Sequence, residues 1–211
     1  MTISSFLCPT TIFMGEGSFK KISEIVRKFK CKRLFVALDG ALVASDFFAQ
    51  IRKLLADEEV EIAMFTEIEP DPSAHTVEKA FAVCQAHKAT VLLAIGGGST
   101  IDVAKAVGIL ATNGGRIHDY EGIEKFAVPP LPLIAIPTTA GTGSEVSGSC
   151  VISDTEKNLR CRFDMRHLIR QRLPFWILSP CEPCLVMLPR TLALMHSCMR
   201  LSRMFRDSRI S

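Results

Sequence analysis

Two segments rich in glycine and hydroxyl groups carry the residue types that bind phosphate. The first is Gly96-Gly97-Gly98-Ser99, which follows the apolar run VLLAI and leads directly into a helical pattern. Glycines let backbone N–H groups approach an anion, and a helix N-terminus adds unpaired donors and a positive dipole end. Ser99 is predicted to be the helix N-cap, with Asp102 as its capping-box partner. A plain strand-to-helix turn is the alternative, although three glycines exceed what capping needs.

The second segment, PTTAGTGSE, follows a later apolar run and offers the hydroxyls of Thr138, Thr139 and Thr142. Gly141 and Gly143 give the backbone freedom between them. A Ser/Thr-rich segment after a strand is often only a loop. If it lies at the same sheet edge as the glycines, we expect it to hold the second phosphate of a dinucleotide.

Asp39 ends an earlier apolar run, RLFVALD. In dinucleotide-binding folds an acid at a strand end bonds the ribose hydroxyls and repels a 2′-phosphate, which favours NAD over NADP. The usual fingerprint places this acid about twenty residues after the glycines, whereas Asp39 precedes them. The ordinary Rossmann order is therefore excluded, and a role for Asp39 as a helix cap or turn residue is equally open.

Alternating β-rich runs and amphipathic helical patterns position these residues. The strands are RLFVALD, VEIAMF, TVLLAI and LIAIP, and the helices are SFKKISEIVRKF, FFAQIRKLLADE, HTVEKAFAVCQAH and the segment after GGGS. Strands separated by helices predict an α/β fold, a parallel sheet with helices on both faces. Such sheets bind ligands beyond the carboxyl ends of their strands, where Asp39 and both loops fall.

Composition excludes several classes of protein. The 211 residues are 48% hydrophobic and 22% charged, which suffices for a folded core. Residues 161–211 are basic, but their cations are all Arg without helical or alternating order, so nucleic-acid binding is not expected. No signal-peptide pattern opens the chain and prolines interrupt its long apolar run, so we expect a cytoplasmic protein without a membrane span.

Cysteine and histidine spacing indicates neither disulfides nor a metal motif. The eight cysteines are interpreted as reduced thiols, and Cys181-x-x-Cys184 lacks a second pair at zinc spacing, so chance explains it best. No H-x-x-x-H or H-E-x-x-H spacing relates the five histidines, which are His75, His87, His118, His167 and His196. No catalytic residue and no metal ligand is therefore assigned.

Together, the segments AIGGGSTIDVAKAVGILATNGG, DYEG and LPLIAIPTTAGTGSEVS closely resemble the iron-dependent (group III) alcohol dehydrogenases, from about Thr11 to Arg160. The resemblance implies a Rossmann-like, dehydroquinate synthase-like N-terminal domain that binds NAD(P). It also implies a C-terminal all-helical domain that holds a divalent metal, usually Fe²⁺, by one Asp and three His. In such enzymes the metal polarises the alcohol oxygen so that hydride passes to the nicotinamide. The family is often homo-oligomeric.

Carried over by position, the resemblance implies that Asp39 meets the adenosine ribose. It implies that Gly97, Gly98 and Ser99 hold the pyrophosphate, while Thr138, Thr139 and Thr142 line the cofactor from the other side. Further cofactor contacts are implied at Asp71, Ser149 and Arg160, although the family often has Asn and Lys at the first and last of these. Nothing is carried over for metal or substrate, because the helical domain is missing.

The resemblance ends at residue 160. We therefore predict a boundary between an NAD-binding domain, residues 1–160, and a tail that does not resemble the family, residues 161–211. All thirteen glycines precede Cys161. A frameshift near the codon of Arg160 explains this. When the tail is translated in the shifted reading frame, with permitted codons, it gives sequences such as VAILDPE and DALMHAIE, which resemble the family. Four of those letters are forced whatever the codons, at Phe175–Trp176, Trp176–Ile177, Met195–His196 and Met204–Phe205. Residues 161–211 are therefore expected to pack poorly, and the place of His196 near a family metal ligand is a coincidence of frame.

Two functions follow from these observations. The chain represents the cofactor-binding half of an NAD-dependent, iron-type alcohol dehydrogenase that oxidises a primary alcohol or diol to an aldehyde, or the reverse. Alternatively, it is a truncated dinucleotide-binding fragment that is catalytically inactive on its own.

Overall fold

The computed structural model describes residues 10–123, 125–154, 159–164 and 175–179. The strands are β1 (Thr11–Met14), β2 (Arg33–Leu38), β3 (Glu61–Phe65), β4 (Val91–Gly96), β5 (Gly122–Ile123), β6 (Leu133–Pro137), β7 (Ser149–Asp154), β8 (Leu159–Asp164) and β9 (Phe175–Ser179). The α-helices are α1 (Ile22–Lys28), α2 (Asp46–Asp57), α3 (Ala74–His87) and α4 (Gly98–Asn113), and 3-10 helices span Ser18–Lys21, Gly40–Leu42 and Ile117–Tyr120. The predicted strands and helices are all present.

Six strands form one parallel sheet in the order β1-β9-β6-β4-β2-β3. Its central strands are buried on both faces, which explains their continuous apolar sequences. Alternate residues such as Leu93 and Ile95 pack with α1 and α2, whereas Leu92 and Ala94 pack with α3 and α4. The predicted α/β fold with helices on both faces is therefore confirmed.

A smaller sheet, β5-β8-β7, lies beside α4. Its antiparallel pair β7 and β8 buries Cys150, Ile152, Cys161 and Phe163 in the core that α3 and α4 share. The sequence pattern did not predict this sheet, because β5 has only two residues and the strands β7 and β8, which follow the Ser/Thr-rich loop, lack a long apolar run.

Strand β8 runs across the predicted boundary between Arg160 and Cys161. Cys161 is 1% exposed and Phe163 is fully buried, so these two residues after Arg160 pack into the core. The boundary at residue 160 and the poor packing expected of residues 161–211 stay predictions. Strand β9 also lies within the main sheet, between β1 and β6. The predictions for His167, Cys181, Cys184 and His196 fall outside the described residues.

Candidate dinucleotide-binding site

The glycine loop and the threonine loop leave the same edge of the main sheet. Strands β4 and β6 are parallel neighbours in which Gly96 pairs with Pro137. The backbone N–H of Thr138 continues this pairing by donating to the Gly96 carbonyl at 3.0 Å. The carboxyl ends of parallel strands form the ligand-binding edge of such sheets. The predicted placement of the two loops side by side is therefore confirmed.

The two loops contact each other where the glycines lack side chains. A Cβ on Gly97 would lie 3.0 Å from Thr139 Oγ1, and a Cβ on Gly98 would lie 3.1 Å from Thr142 Cβ. A Cβ on Gly96 would clash with Thr100 at 2.4 Å from its Oγ1. At each of these three positions a side chain would meet a neighbouring residue, which explains why all three are glycine. A simple turn alone would not require this. This close packing places the first backbone amides of α4 next to hydroxyl-bearing threonines.

The start of α4 differs from the sequence prediction. The helix begins at Gly98 with Gly97 as its N-cap, and no side chain caps it. Ser99 is half-buried in the first turn, and the predicted capping box with Asp102 is absent. The Asp102 carboxylate instead accepts a hydrogen bond from the Val151 N–H at 3.0 Å, because the β7–β8 hairpin packs against this helix. A helix N-terminus without a side-chain cap keeps its first amides available for an anion.

Asp39 lies at the same edge, directly after β2, whose last residue Leu38 pairs with Ile95 of β4. Its carboxylate accepts a hydrogen bond from the Ala41 N–H at 3.0 Å and caps the 3-10 helix at Gly40–Leu42. The cap role that the sequence left open is therefore present. It leaves the second carboxylate oxygen of this half-buried side chain for a further partner.

Of the three residues implied as further cofactor contacts, Asp71 and Arg160 pair with each other, whereas Ser149 has a different partner. Asp71 and Arg160 form an ion pair, and each side chain is 65% exposed. Ser149 accepts a long hydrogen bond of 3.4 Å from Arg162. This pairing links the loop after β3 to the β7–β8 hairpin.

A buried lysine that the sequence reasoning missed holds the threonine loop in place. Lys105 of α4 is 4% exposed, and its ammonium donates to the carbonyls of Ser144, Ser147 and Ser149 at 2.5, 3.0 and 2.8 Å. Burial lowers the pKa of Lys105, while attraction to Asp102 opposes that change. A charged pair inside the apolar helix sequence IDVAKAVGIL was the signal that could have identified it.

Asp102 and Lys105 form an electrostatic unit beneath the loop. Burial raises the pKa of Asp102, against the opposing attraction of Lys105 and the Val151 hydrogen bond. Asp102 Oδ2 has a partner in Val151, whereas the buried Oδ1 has no hydrogen bond. Removing either charge would leave the other buried without its partner, so substitution of one residue alone should lower the stability of the folded chain.

The described residues do not bring together the one Asp and three His that the resemblance implies for an iron site. Among them, the group of three or more close metal-binding side chains is His118, Asp154 and Cys161, which is not a set of one Asp and three His. No helix in the part of the chain that the structure covers is long and apolar enough to span a membrane.

Comparisons with known proteins agree with this geometry. The chain is 32% identical over 158 residues to the NAD-dependent methanol dehydrogenase of Bacillus methanolicus, covering 75% of this chain and 42% of that protein. It is 35% identical to a 1-propanol dehydrogenase of Salmonella typhimurium, covering 75% of this chain and 38% of the relative. The chain therefore spans less than half the length of these relatives.

Solved structures share the fold. The chain matches 1,3-propanediol oxidoreductase with a TM-score of 0.77 and 29% identity, over 84% of this chain and 46% of the other. It matches sulfoacetaldehyde reductase from Bifidobacterium kashiwanohense in complex with NAD⁺ with a TM-score of 0.74 and 26% identity, over 85% and 46% of the two chains. The model of the iron-containing alcohol dehydrogenase family matches residues 9–170. The chain belongs to the iron-containing alcohol dehydrogenase family.

Proposed function

We propose that this chain binds NAD through the two loops and forms the cofactor-binding half of an NAD-dependent alcohol dehydrogenase. The observation that carries the proposal is the contact between Gly98 and Thr142, which joins a glycine-rich helix start to a hydroxyl-rich loop at one sheet edge. The amides of the first turn of α4 would hold the diphosphate, and Thr138, Thr139 and Thr142 would line its other side. The NAD dependence of the Bacillus methanolicus relative supports this choice of cofactor.

Asp39 supports NAD rather than NADP as the cofactor. Its carboxylate stands at the end of β2, next to the glycine loop, and one oxygen is already fixed by Ala41. A fixed carboxylate accepts hydrogen bonds from ribose hydroxyls and repels a 2′-phosphate. The bound nicotinamide would accept a hydride from the alcohol carbon.

The substrate class is proposed to be a primary alcohol or diol. The relatives include enzymes named for methanol, 1-propanol and 1,3-propanediol. A cytoplasmic location belongs to the same proposal, since the described cysteines Cys31, Cys84, Cys150 and Cys161 are not in disulfides, as expected in a reducing compartment.

The alternative is a chain that binds NAD without turning over an alcohol. The observation that favours it is the lack of a family-type iron set among the described residues. Assaying the purified full chain with NAD⁺, Fe²⁺ and simple primary alcohols separates the two functions. NADH production at a rate typical of dehydrogenases, on the order of 1 per second or faster, supports the enzyme. Cofactor binding without turnover supports the alternative.

The reading-frame hypothesis for residues 161–211 stays a prediction. Sequencing the coding DNA around the Arg160 codon tests it, because the hypothesis requires that one base is missing there and that restoring it gives a tail resembling the family.

A further inference from the structure

Three metal-binding side chains from separate segments converge beside α4. His118 lies in the 3-10 helix at Ile117–Tyr120, Asp154 ends β7, and Cys161 lies in β8. One ligand atom from each, an imidazole nitrogen, a carboxylate oxygen and Sγ, lies within 4.8 Å of the others. We propose that His118, Asp154 and Cys161 bind one divalent transition-metal ion, Zn²⁺ being the one that suits them best.

The unsatisfied nitrogen of His118 is the first argument for a cation. His118 Nδ1 is buried without a hydrogen-bond partner, although buried polar atoms are nearly always paired. It lies 3.7 Å from Asp154 Oδ2, which is too long for an N–H···O hydrogen bond. Two tetrahedral ligands with bonds of about 2.0–2.1 Å lie about 3.4 Å apart, so a small adjustment would place a metal between these atoms.

Burial is the second argument. Asp154 is 4% exposed and Cys161 is 1% exposed. A carboxylate oxygen and a thiolate sulfur are both ligands of Zn²⁺, and a divalent cation would balance the charge of the two buried groups at once. His118 is partly exposed, with a side-chain exposure of 30%, and gives an ion access from solvent.

The combination of ligands selects the metal. One thiolate, one imidazole nitrogen and one carboxylate oxygen match the ligand types of Zn²⁺, and three protein ligands leave a fourth position for water. On binding, the Cys161 thiol releases its proton to solvent, so the affinity rises with pH. The bound ion would tie the 3-10 helix after α4 to the β7–β8 hairpin. The proposal departs from the sequence prediction for His118, because ligands on three distant segments have no spacing motif.

The test uses the full chain with Cys181→Ser and Cys184→Ser as background, since these cysteines could hold metal themselves. Metal-free protein is titrated with Co²⁺, which gives a near-ultraviolet charge-transfer band when a thiolate binds, and Zn²⁺ is then added to displace it. We expect one Co²⁺ per chain with the band present. In this background Cys161→Ser should abolish the band, and His118→Gln should weaken binding at least tenfold while the band persists at saturation.

His75→Gln is the matched control, because His75 is exposed and outside the cluster. It should leave Co²⁺ affinity unchanged. Circular dichroism of the metal-free variants checks folding. If Cys161→Ser unfolds the chain, the Co²⁺ affinity of the His118→Gln variant alone decides the test, since His118 is partly exposed. A band that survives Cys161→Ser in folded protein overturns the proposal. So does equal affinity in His118→Gln, or the loss of all binding in the background variant.

Discussion

The side chain of Thr142 lies directly against Gly98, so closely that a Cβ on Gly98 would come within 3.1 Å of Thr142 Cβ. This contact joins the start of α4 to the loop after β6. It brings the first backbone amides of α4 and the hydroxyl groups of the loop after β6 to one edge of the sheet, where we propose that the diphosphate of a dinucleotide binds.

Gly98→Ala should weaken NADH binding by about tenfold, or about 1.4 kcal/mol. The new methyl group would push Thr142 and Ser144 away from the helix start, because both already lie 3.1–3.2 Å from its position. Fluorescence titration of NADH measures the change.

Gly108→Ala is the matched control for that variant. A Cβ on Gly108 would meet Leu92 Cδ1 at 3.0 Å within the core, on the same helix but away from the loop. This variant should lose stability and keep its NADH affinity in the folded state. Equal loss of affinity in both variants would show that Gly98 acts through the fold alone.

Asp39→Asn should improve NADPH binding relative to NADH by about tenfold. The amide oxygen can still accept the Ala41 hydrogen bond, so the change removes charge and leaves the local cap in place. Asp46→Asn, an exposed change in the first turn of α2, is the charge-matched control. Competition titrations with the two reduced cofactors measure the ratio. An unchanged ratio in Asp39→Asn would remove this carboxylate from cofactor selection.

Lys105→Met should cost about 3 kcal/mol of unfolding free energy, because it leaves loop carbonyls without a donor and Asp102 without a nearby positive charge. In the double variant with Asp102→Asn, the combined cost should fall about 1 kcal/mol or more below the sum of the single costs. Urea denaturation of the original chain, the two single variants and the double variant gives the four unfolding free energies of this double-mutant cycle. Strict additivity would mean that the two residues stabilise the loop independently.

The chain should lose stability as the pH rises from about 9 to about 11. Burial raises the pKa of Cys84 to about 11, whereas an unperturbed thiol has the value 9.0. Because the native thiol keeps its proton while the unfolded one ionises, the contribution is full below pH 9 and is lost through that window. Cys84→Ala should reduce the pH-dependent loss by about 1–2 kcal/mol. Chemical denaturation across this range measures it, and identical pH slopes in both proteins would contradict the assignment.

The sequence predicted the parts of the fold that depend on local pattern. The apolar runs of β2, β4 and β6 are continuous because both faces of these strands are buried. Together with the helical patterns between the strands, these runs indicate a parallel sheet. The two loops then had to share an edge, because each follows a strand of that sheet.

Tertiary contacts decided what the sequence could not predict. Asp102 has the spacing of a capping partner, but the Val151 N–H of a distant hairpin takes its carboxylate. Lys105 lies in an apolar helix pattern, and only the folded loop shows which carbonyls it binds. Strand β9 pairs with β1 and β6, which are remote in sequence, so no local signal could place it.

Equilibrium titration of the purified chain with NADH tests the central claim most directly. We predict saturable one-to-one binding with a Kd below about 1 mM, which corresponds to about 4 kcal/mol. Protein fluorescence or NADH emission reports the bound fraction, and Gly98→Ala should shift the curve to higher concentrations. Absence of any saturable binding by folded protein at millimolar NADH would contradict the account.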